Sequence, residues 1–304
     1  MEKQTNTGGQ SKDKKQPELR FVVEEITTLM PFLLEKLPSK NRHNIKGLLR
    51  DKQVLVDGRA TSQFNHLLKP EQVVEIRWTK SYQKQDYKDL TILFEDEHLV
   101  VIDKADGLLS IATEKQKLHT AYSILSSHIK KANPANRIFV VHRLDRETSG
   151  IMMFAKSEKV QKLLQDLWHS TAKERVYLAV TEGPVDPPQG EIRSYLAENK
   201  ALIVYSTQNP DKGQLAVTHY ETLHRNDLYS LLKVELETGR KNQIRVHLKD
   251  LGHPIIGDKK YGATTNPIGR VGLHAWVLAF KHPVTNEELR FKTPIPAKFQ
   301  RLFS

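Results

Sequence analysis

The sequence of 304 residues contains no cysteine and no long apolar run. Without cysteine the chain cannot form disulfides, thiolate metal sites or a thiol nucleophile, which suits a reducing compartment. Its longest apolar runs, such as Ile151–Ala155 and Trp276–Phe280, are far shorter than the roughly 20 residues that cross a bilayer. Residues 1–17 hold neither an apolar segment nor an arginine, so they match neither a secretory signal nor a transit peptide. We expect a cytoplasmic protein with no membrane span.

Sequence signatures of common cofactors and metals are also missing. The nearest approach to a phosphate-binding P-loop, Gly257–Thr264, carries Ala263 where that motif needs lysine, and no strand is predicted before it. No Gly-x-Gly-x-x-Gly motif is present for a dinucleotide. The 13 histidines include no His-Glu-x-x-His pattern, and no cysteine is available to complete a zinc site. The sequence therefore predicts neither a cofactor nor a metal.

Acidic residues are fewer than basic ones. The chain has 36 Asp and Glu against 47 Lys and Arg, a net charge of +11 at pH 7. Such an excess favours a polyanionic partner, most often nucleic acid or an acidic membrane surface, if the basic residues cluster. An evenly spread surplus would indicate only a solvated surface. With 38% hydrophobic and 27% charged residues, the composition is that of a water-soluble globular chain long enough for two domains.

The apolar pattern changes three times along the chain and so predicts four segments. Residues 1–17 carry four lysines and almost no apolar residue, which predicts a disordered tail. Apolar periodicity runs through residues 18–80, and residues 81–89 are polar and unpatterned. Short strands dominate from there. We therefore expect a small domain at 18–80, a linker at 81–89 and a larger domain at 90–304.

The small domain contains a cluster of basic residues. Residues 36–52 hold six basic side chains against the single acid Asp51. Apolar residues at positions 45, 48 and 49 recur at helical spacing, so they are expected to face a core. The opposite side of this helix carries three basic residues, which we call the basic stripe: Arg42, Lys46 and Arg50. Residues 53–60 then predict a strand, an Asp-Gly turn and a second strand.

This region resembles an S4 RNA-binding domain. The resemblance rests on Leu33–Leu37, Ser39–Arg50 and Val54–Gly58. It implies that the basic helix and the following hairpin bind structured RNA. The alternative is a small helical cap whose charged face is only solvated.

The larger domain is predicted as an α+β fold with a mixed, mostly antiparallel sheet and flanking helices, because its many short strands are joined by short turns. Helices are expected at 120–131, at 158–170 and from residue 240 to 251, with a short one at the C-terminus. Strands are expected at 91–94, 99–102, 138–141, 150–155, 175–181, 192–196, 202–206, 216–223, 229–236, 273–280 and 288–291.

Two polar clusters stand out in the larger domain. Val141–Gly150 is a charged loop between two apolar strands, and Thr238–Leu248 enters a helix from a glycine turn. In isolation the first is equally well explained as a turn in which Asp145 pairs with Arg143 or Arg146. The second alone would indicate only a basic helix start.

Together these clusters resemble the RluA family of RNA pseudouridine synthases. His142-Arg143-Leu144-Asp145 followed by Thr148-Ser149-Gly150 is similar to that family's catalytic loop. The resemblance covers about residues 90–300. Its supporting matches are Lys173–Ala179, Thr238–Leu248, Gly252–Asp258, Tyr261-Gly262, Leu273–Ala275 and Phe280–Pro283.

The resemblance implies an isomerase that needs no cofactor. Uracil is detached from its sugar at N1, turned over and rejoined through C5. Asp145 matches the family's essential aspartate, and Arg245 is implied to pair with it and to keep it charged. Whether the carboxylate attacks the sugar, attacks the base or removes a sugar proton is left open by the sequence.

The same resemblance implies contacts with the RNA. A uridine inside folded RNA must be flipped out, and Arg143 is expected to fill the gap because guanidinium stacks on bases. Tyr177 is implied to stack on the flipped uracil, where its hydroxyl could assist loss of the C5 proton; the alternative is a tyrosine packed in the core. Ile244 is expected to form an apolar wall. The predicted site thus has Asp145, Tyr177 and Arg245 as catalytic residues, with Arg143, Ile244 and the basic stripe as RNA-binding residues.

The sequence departs from the family pattern at two places. Asn242 stands where the family usually has histidine before Gln-Ile-Arg, and Lys104-Ala105-Asp106-Gly107 replaces the usual Lys-Pro-x-Gly. Asparagine can still donate and accept hydrogen bonds, so activity is expected, but any role specific to that histidine is in doubt. The second departure is expected to affect a turn more than the chemistry.

The predicted function is pseudouridine formation in large-subunit ribosomal RNA, because an S4 domain on such a synthase resembles the enzymes that modify this RNA. Transfer RNA is the alternative target. Two other classes are a non-catalytic RNA-binding ribosome assembly factor and a phosphate-handling hydrolase. Asp145, Tyr177 and Arg245 together disfavour the first, and the missing P-loop lysine disfavours the second. We expect an RNA-binding monomer.

Overall fold

The chain divides into two compact units, Met1–Gln83 and Lys84–Ser304, and each is described by itself. The predicted tail at 1–17 lies outside the described residues, as do residues 81–84 of the predicted linker. The computed structural model describes residues 19–38, 40–50, 53–76, 85–113, 118–166 and 172–304.

In its described residues, the first unit joins a four-stranded antiparallel sheet to two helices. The strand order is β1-β6-β3-β4, and β2 and β5 form a separate pair. Its helices are α1 (Leu29–Lys36) and α2 (Arg42–Arg50); its strands are β1 (Leu19–Val22), β2 (Thr27–Thr28), β3 (Val54–Val56), β4 (Arg59–Ala60), β5 (Leu67–Leu68) and β6 (Val73–Ile76).

Helix α2 has the two faces that its sequence predicts. Ile45, Leu48 and Leu49 belong to one buried cluster with residues of α1 and of the sheet. All three residues of the basic stripe are exposed. The hairpin after the helix also follows the prediction, because β3 and β4 pair across a turn in which Asp57 and Gly58 both have positive φ.

The second unit contains a 12-stranded sheet and four α-helices among the described residues. Its helices are α3 (Ala121–Lys130), α4 (Glu158–Asp166), α5 (Gln243–Asp250) and α6 (Ala297–Gln300). Its strands are β7 (Gln85–Tyr87), β8 (Leu90–Glu95), β9 (Leu99–Lys104), β10 (Phe139–Val140), β11 (Ser149–Ala155), β12 (Ala172–Glu182), β13 (Gln189–Glu198), β14 (Val204–Thr207), β15 (Gln214–Arg225), β16 (Tyr229–Leu236), β17 (Leu273–Lys281) and β18 (Glu288–Lys292).

The main path of this sheet runs β14-β13-β15-β16-β12-β17-β11-β9-β8-β7, with β10 beside β11 and β18 beside β17. Every pair in the described part of the sheet is antiparallel except β11 with β17. The predicted mixed, mostly antiparallel sheet is therefore confirmed. None of the described helices is long and apolar enough to span a membrane.

Part of the predicted linker is wrong, because β7 belongs to the sheet. It lies at the sheet edge and pairs with β8 alone. An edge strand can leave polar side chains such as Asp86 exposed, so no apolar alternation marks it in the sequence.

The helix predicted from residue 240 begins later, at Gln243. Asn242 has φ 55°, a left-handed conformation that interrupts a helix and that asparagine tolerates better than most residues. The side-chain oxygen of Gln243 accepts hydrogen bonds from the Arg240 backbone (2.9 Å) and the Thr238 hydroxyl (2.8 Å). Residues 239–242 therefore form a fixed turn before α5. The predicted glycine end of this helix is confirmed, since Gly252 has φ 88°.

The parallel contact between β11 and β17 depends on Gly150. This residue lies opposite Ala275 and has φ 111°. A Cβ at Gly150 would come within 2.2 Å of the Ala275 carbonyl oxygen, so no other residue fits without moving the backbone. The glycine of the Thr-Ser-Gly sequence thus brings the charged loop before it close to the start of β17.

Candidate active site

The two polar clusters of the sequence meet in one cleft of about 730 Å³. One wall is the loop between β10 and β11, and the other is the turn and first residues of α5. Tyr177 on β12 also lines the cleft. The cleft brings together five of the predicted site residues: Arg143, Asp145, Tyr177, Ile244 and Arg245.

Asp145 forms its ion pair across the cleft with Arg245. The distance from Arg245 Nη1 to Asp145 Oδ2 is 3.1 Å. Arg146, a neighbour that could have paired with the aspartate, donates instead through Nε to the Gly107 carbonyl. The Asp145 side chain is 38% exposed, whereas the arginine is 9% exposed. A carboxylate that is open to the cleft is therefore held by a buried cation.

Asp258 is a second carboxylate on the same guanidinium. Arg245 donates Nε to Asp258 Oδ2 at 2.6 Å and Nη2 to Oδ1 at 2.8 Å, and the Asp258 side chain is 1% exposed. Burial alone would lower the pKa of Arg245, but the hydrogen bonds and charge of Asp258, helped by Asp145, raise it above its usual value. The arginine therefore stays charged, with Nη1 directed to the cleft.

Two further residues complete the surroundings of Arg245. The Tyr261 ring lies 4.9 Å from the guanidinium carbon. Asn242 accepts from Arg245 Nη1 at 3.3 Å and donates its amide nitrogen to the Tyr261 hydroxyl at 2.8 Å. Asp258, Tyr261 and Asn242 thus all contact the guanidinium of Arg245. Asparagine, the departure from the family pattern, links Tyr261 to the guanidinium of Arg245.

The loop that carries Asp145 is held by hydrogen bonds between side chains and backbone groups. His142 Nε2 accepts the Met153 backbone N–H at 3.1 Å. Burial, together with the charge of Arg175, lowers the pKa of His142 to about 4, so the ring is neutral at physiological pH. The Ser110 hydroxyl donates to the Leu144 carbonyl at 2.7 Å. The position of Asp145 is therefore determined by contacts of its loop with β11 and with Ser110, in the segment after β9.

Lys104, in the second departure from the family pattern, is completely buried under the same loop. Its Nζ donates to the carbonyls of Ala105 (3.0 Å) and Leu108 (2.7 Å) and lies 3.5 Å from that of Arg146. Burial lowers the pKa of Lys104 to about 8. The Gly107 backbone N–H also donates to the Arg146 carbonyl, at 2.8 Å. The turn at 104–107 therefore supports the loop from the end of β9.

The remaining cleft surface combines an aromatic ring with aliphatic side chains. Tyr177 is half-buried, and burial, helped by the charge of Asp145 and opposed by that of Arg175, raises its pKa to about 12. Its phenol is therefore neutral at physiological pH. Ile244 is 5% exposed and packs in one cluster with Tyr177. Arg143 is exposed beside Asp145. A flat, uncharged ring would fit between the apolar wall and the carboxylate.

The sequence did not identify Asp258 or Tyr261 as site residues. Both residues appeared in the sequence analysis only within matched motifs. Their partner Arg245 lies in α5, whereas both residues follow the glycine that ends this helix.

The basic stripe belongs to the first unit, so its predicted role is separate from the cleft. Within the described ranges, no group of three or more His, Asp or Glu side chains could hold a metal ion.

The sequence and the fold of this chain are similar to those of known proteins. The model of a family described as RNA pseudouridylate synthase matches residues 98–250. The uncharacterized RNA pseudouridine synthase YjbO of Bacillus subtilis is 37% identical over 70% of this chain and 75% of its own length. Ribosomal large subunit pseudouridine synthase D of Pseudomonas aeruginosa is 31% identical over 88% of both chains. The solved structure of human RNA pseudouridylate synthase domain containing 4 matches with a TM-score of 0.58 and 26% identity, over 69% of this chain and 92% of that one.

Proposed function

Because the chain belongs to the RNA pseudouridylate synthase family and is an RNA pseudouridine synthase, we propose that it modifies uridines of large-subunit ribosomal RNA with Asp145 as the catalytic carboxylate. The names of its relatives from Pseudomonas aeruginosa and Nitrosomonas europaea, both ribosomal large subunit pseudouridine synthase D, favour this RNA over transfer RNA.

The proposed role of Asp145 rests on its ion pair with Arg245 in a cleft that also presents Tyr177 and Ile244. The reaction breaks the bond between uracil N1 and the sugar, forms a bond from the sugar to C5, returns a proton to N1 and releases the C5 proton. Attack on the sugar, attack on the base and removal of a sugar proton all require an ionised carboxylate. A charged arginine that is fixed on its other side holds the carboxylate in place and offers it an opposite charge.

Tyr177 and Ile244 are proposed to hold the detached uracil. A base that has left its sugar must turn over without leaving the cleft, and a half-buried ring with an aliphatic neighbour can enclose it. Because the pKa of Tyr177 is raised to about 12, its neutral phenol is better suited to stacking and donation than to removal of the C5 proton.

Arg143 is proposed to enter the RNA stack in place of the flipped uridine. It is exposed and lies two residues from Asp145, so its guanidinium can reach the position that the base leaves. A short single-stranded RNA has little stack to fill and should need this residue less.

The first unit is proposed to be an S4-like domain that binds the same RNA. Its support is the basic stripe, which is exposed on α2 while the opposite face of that helix is buried. Lys and Arg side chains arranged on one helical face can contact successive phosphates.

The proposed function is tested by mapping pseudouridines in total RNA from cells that lack this protein. We expect at least one pseudouridine to disappear from large-subunit ribosomal RNA and to return when the intact gene is restored. Loss confined to transfer RNA would identify the other target. An unchanged map, together with a defect in ribosome assembly, would support the non-catalytic RNA-binding class instead.

A further inference from the structure

A second groove, of about 510 Å³, lies beside the turn at 239–242. Its walls come from the β13–β14 hairpin, from the segment before β15 and from that turn. Its polar and aromatic side chains include Tyr205, Lys212, Arg240 and Lys241, with Glu198 as the one acid that lines it. Glu198, Tyr205 and Lys212 do not line the cleft of Asp145.

The groove is continuous with the cleft of Asp145. Arg240 and Lys241 line both. Arg240 is fixed there, because its Nε donates to the Leu215 carbonyl at 3.0 Å and its backbone N–H donates to the Gln243 side chain. Lys241 forms an ion pair with Glu198. A polymer with one residue in the cleft would therefore pass over two cations to enter the groove.

The hairpin presents an aromatic ring to this groove. Val204 is buried in a cluster with Val246 of α5, and the next residue along the strand, Tyr205, is 42% exposed. Successive strand residues point to opposite faces, so packing of Val204 against the helix leaves Tyr205 outward. Gly213 helps to shape the groove, since a Cβ there would come within 3.0 Å of the Leu196 backbone.

We infer that this groove binds a nucleotide adjacent to the target uridine, with its base stacked on Tyr205 and a phosphate beside Lys212 or Lys241. This inference rests on the proposed function. An aromatic platform flanked by cations is the usual chemistry for single-stranded nucleic acid. The three cations of the groove outnumber its acid Glu198, which pairs with Lys241, so an excess of positive charge remains to match a phosphate backbone. The continuity with the cleft gives that strand a path.

The main test measures pseudouridine formation by Tyr205→Ala and Tyr205→Phe on three RNAs. One RNA extends on both sides of the target, and each of the other two is cut next to the target on one side. On the long RNA we expect Tyr205→Ala to raise KM by about 5-fold to 100-fold with kcat little changed, because one stacked base is lost. Tyr205→Phe keeps the ring and should behave as wild type. One of the two truncations should remove the difference between the variants.

Tyr122→Ala is the matched control, since Tyr122 is also exposed (38%) on the second unit but lines neither the cleft nor the groove. Its kinetics should equal those of wild type. Thermal unfolding of the two alanine variants checks that Tyr205→Ala is folded. If Tyr205→Ala does not fold, the kinetics of Lys212→Ala are measured instead. On the long RNA only, the KM of Lys212→Ala should depend less on salt than the KM of wild type does.

A direct test uses the wild-type protein. Photocrosslinking of RNA with 4-thiouridine at each position next to the target should label the peptide that contains Tyr205 from one flank. Equal KM values for Tyr205→Ala and wild type on every RNA, with no crosslink to this peptide, would overturn the inference. The same result is expected if the exposed Leu202 and Ile203, which precede Tyr205 in the chain, form a protein-binding surface. Failure of the proposed function differs, because wild type itself would then leave ribosomal RNA unmodified.

Discussion

Asn242 donates its side-chain amide to the Tyr261 hydroxyl at 2.8 Å, and its amide oxygen accepts from Arg245 at 3.3 Å. Asparagine therefore connects the ring that stacks on the guanidinium to the nitrogen that faces Asp145. The departure from the family pattern at this position is part of the contacts around Arg245. It also suits the backbone, because asparagine tolerates the left-handed conformation observed there.

We expect Tyr261→Phe to lower kcat by a factor of about 3 to 10, because it removes the hydrogen bond from Asn242. Asn242→Gly should lower kcat at least as much, because it removes that hydrogen bond and the one from Arg245. Phenylalanine keeps the stacked ring, and glycine keeps the left-handed backbone. The double variant should be less impaired than the product of the single effects, since the link can be lost only once. KM should change little. Full multiplication of the two effects in single-turnover assays would show that the residues act separately.

Asp145→Asn should abolish pseudouridine formation while RNA affinity is retained. The amide has the shape of the carboxylate but no charge, and Arg245 keeps its two hydrogen bonds to Asp258. Because the pair is partly exposed, the free energy of unfolding should fall by less than about 1 kcal/mol. Conversion is measured on the mapped RNA and binding by a filter assay. Turnover by the variant would remove Asp145 from the chemistry.

The elements were largely predictable from sequence, but the contacts around Arg245 were not. The burial of Ile45, Leu48 and Leu49 follows from helical periodicity, and the Asp-Gly turn follows from local backbone preference. Both are properties of neighbouring residues.

The contact between Asp258 and Arg245 depends instead on how the chain folds back after α5. Lys104 ends a buried strand, and only the fold brings three carbonyls around its amine. The Asp145 and Arg245 pair was expected only by resemblance to a family, because 100 residues separate its partners.

Asp258→Ala should destabilise the second unit far more than Asp145→Ala. Asp258 is fully buried against Arg245, so its loss leaves a buried cation without its main partner, at a cost of about 3–5 kcal/mol. Loss of the partly exposed Asp145 should cost less than about 1 kcal/mol. Urea unfolding of both variants, followed by a probe in the second unit, makes the comparison. Similar losses would mean that the two carboxylates share the arginine equally.

The stability of the second unit should depend on pH through Lys104. Its pKa is about 8 when folded, against 10.5 in the unfolded chain. Between these values the unfolded chain binds more protons, so the free energy of unfolding should rise as pH increases from about 8 to 10.5. The neutral amine still has two N–H groups for Ala105 and Leu108. Lys104→Met should lack this rise, and urea unfolding at several pH values compares it with wild type. If the free energy of unfolding of Lys104→Met changes with pH in the same way as that of wild type, Lys104 is not the residue that causes the rise.

The basic stripe should contribute to the salt dependence of RNA binding. Each phosphate contact releases condensed counterions, so log affinity falls with log salt by about 0.7–0.9 per contact. Changing Arg42, Lys46 and Arg50 together to alanine should flatten that slope by up to about 2–3 under the same rule. Ile45, Leu48 and Leu49 remain buried, so thermal stability should change little. Turnover at saturating RNA should survive.

The control for the stripe removes the same charge elsewhere, by changing the scattered exposed lysines Lys69, Lys130 and Lys281 to alanine. A nonspecific effect of net charge would alter both triple variants equally, whereas phosphate contacts on one helical face would alter the stripe variant much more. Affinity is measured for a large folded ribosomal RNA fragment at four or more salt concentrations. If the stripe variant has the slope and affinity of wild type, that face of α2 is only solvated, and the RNA-binding role of the first unit must be withdrawn.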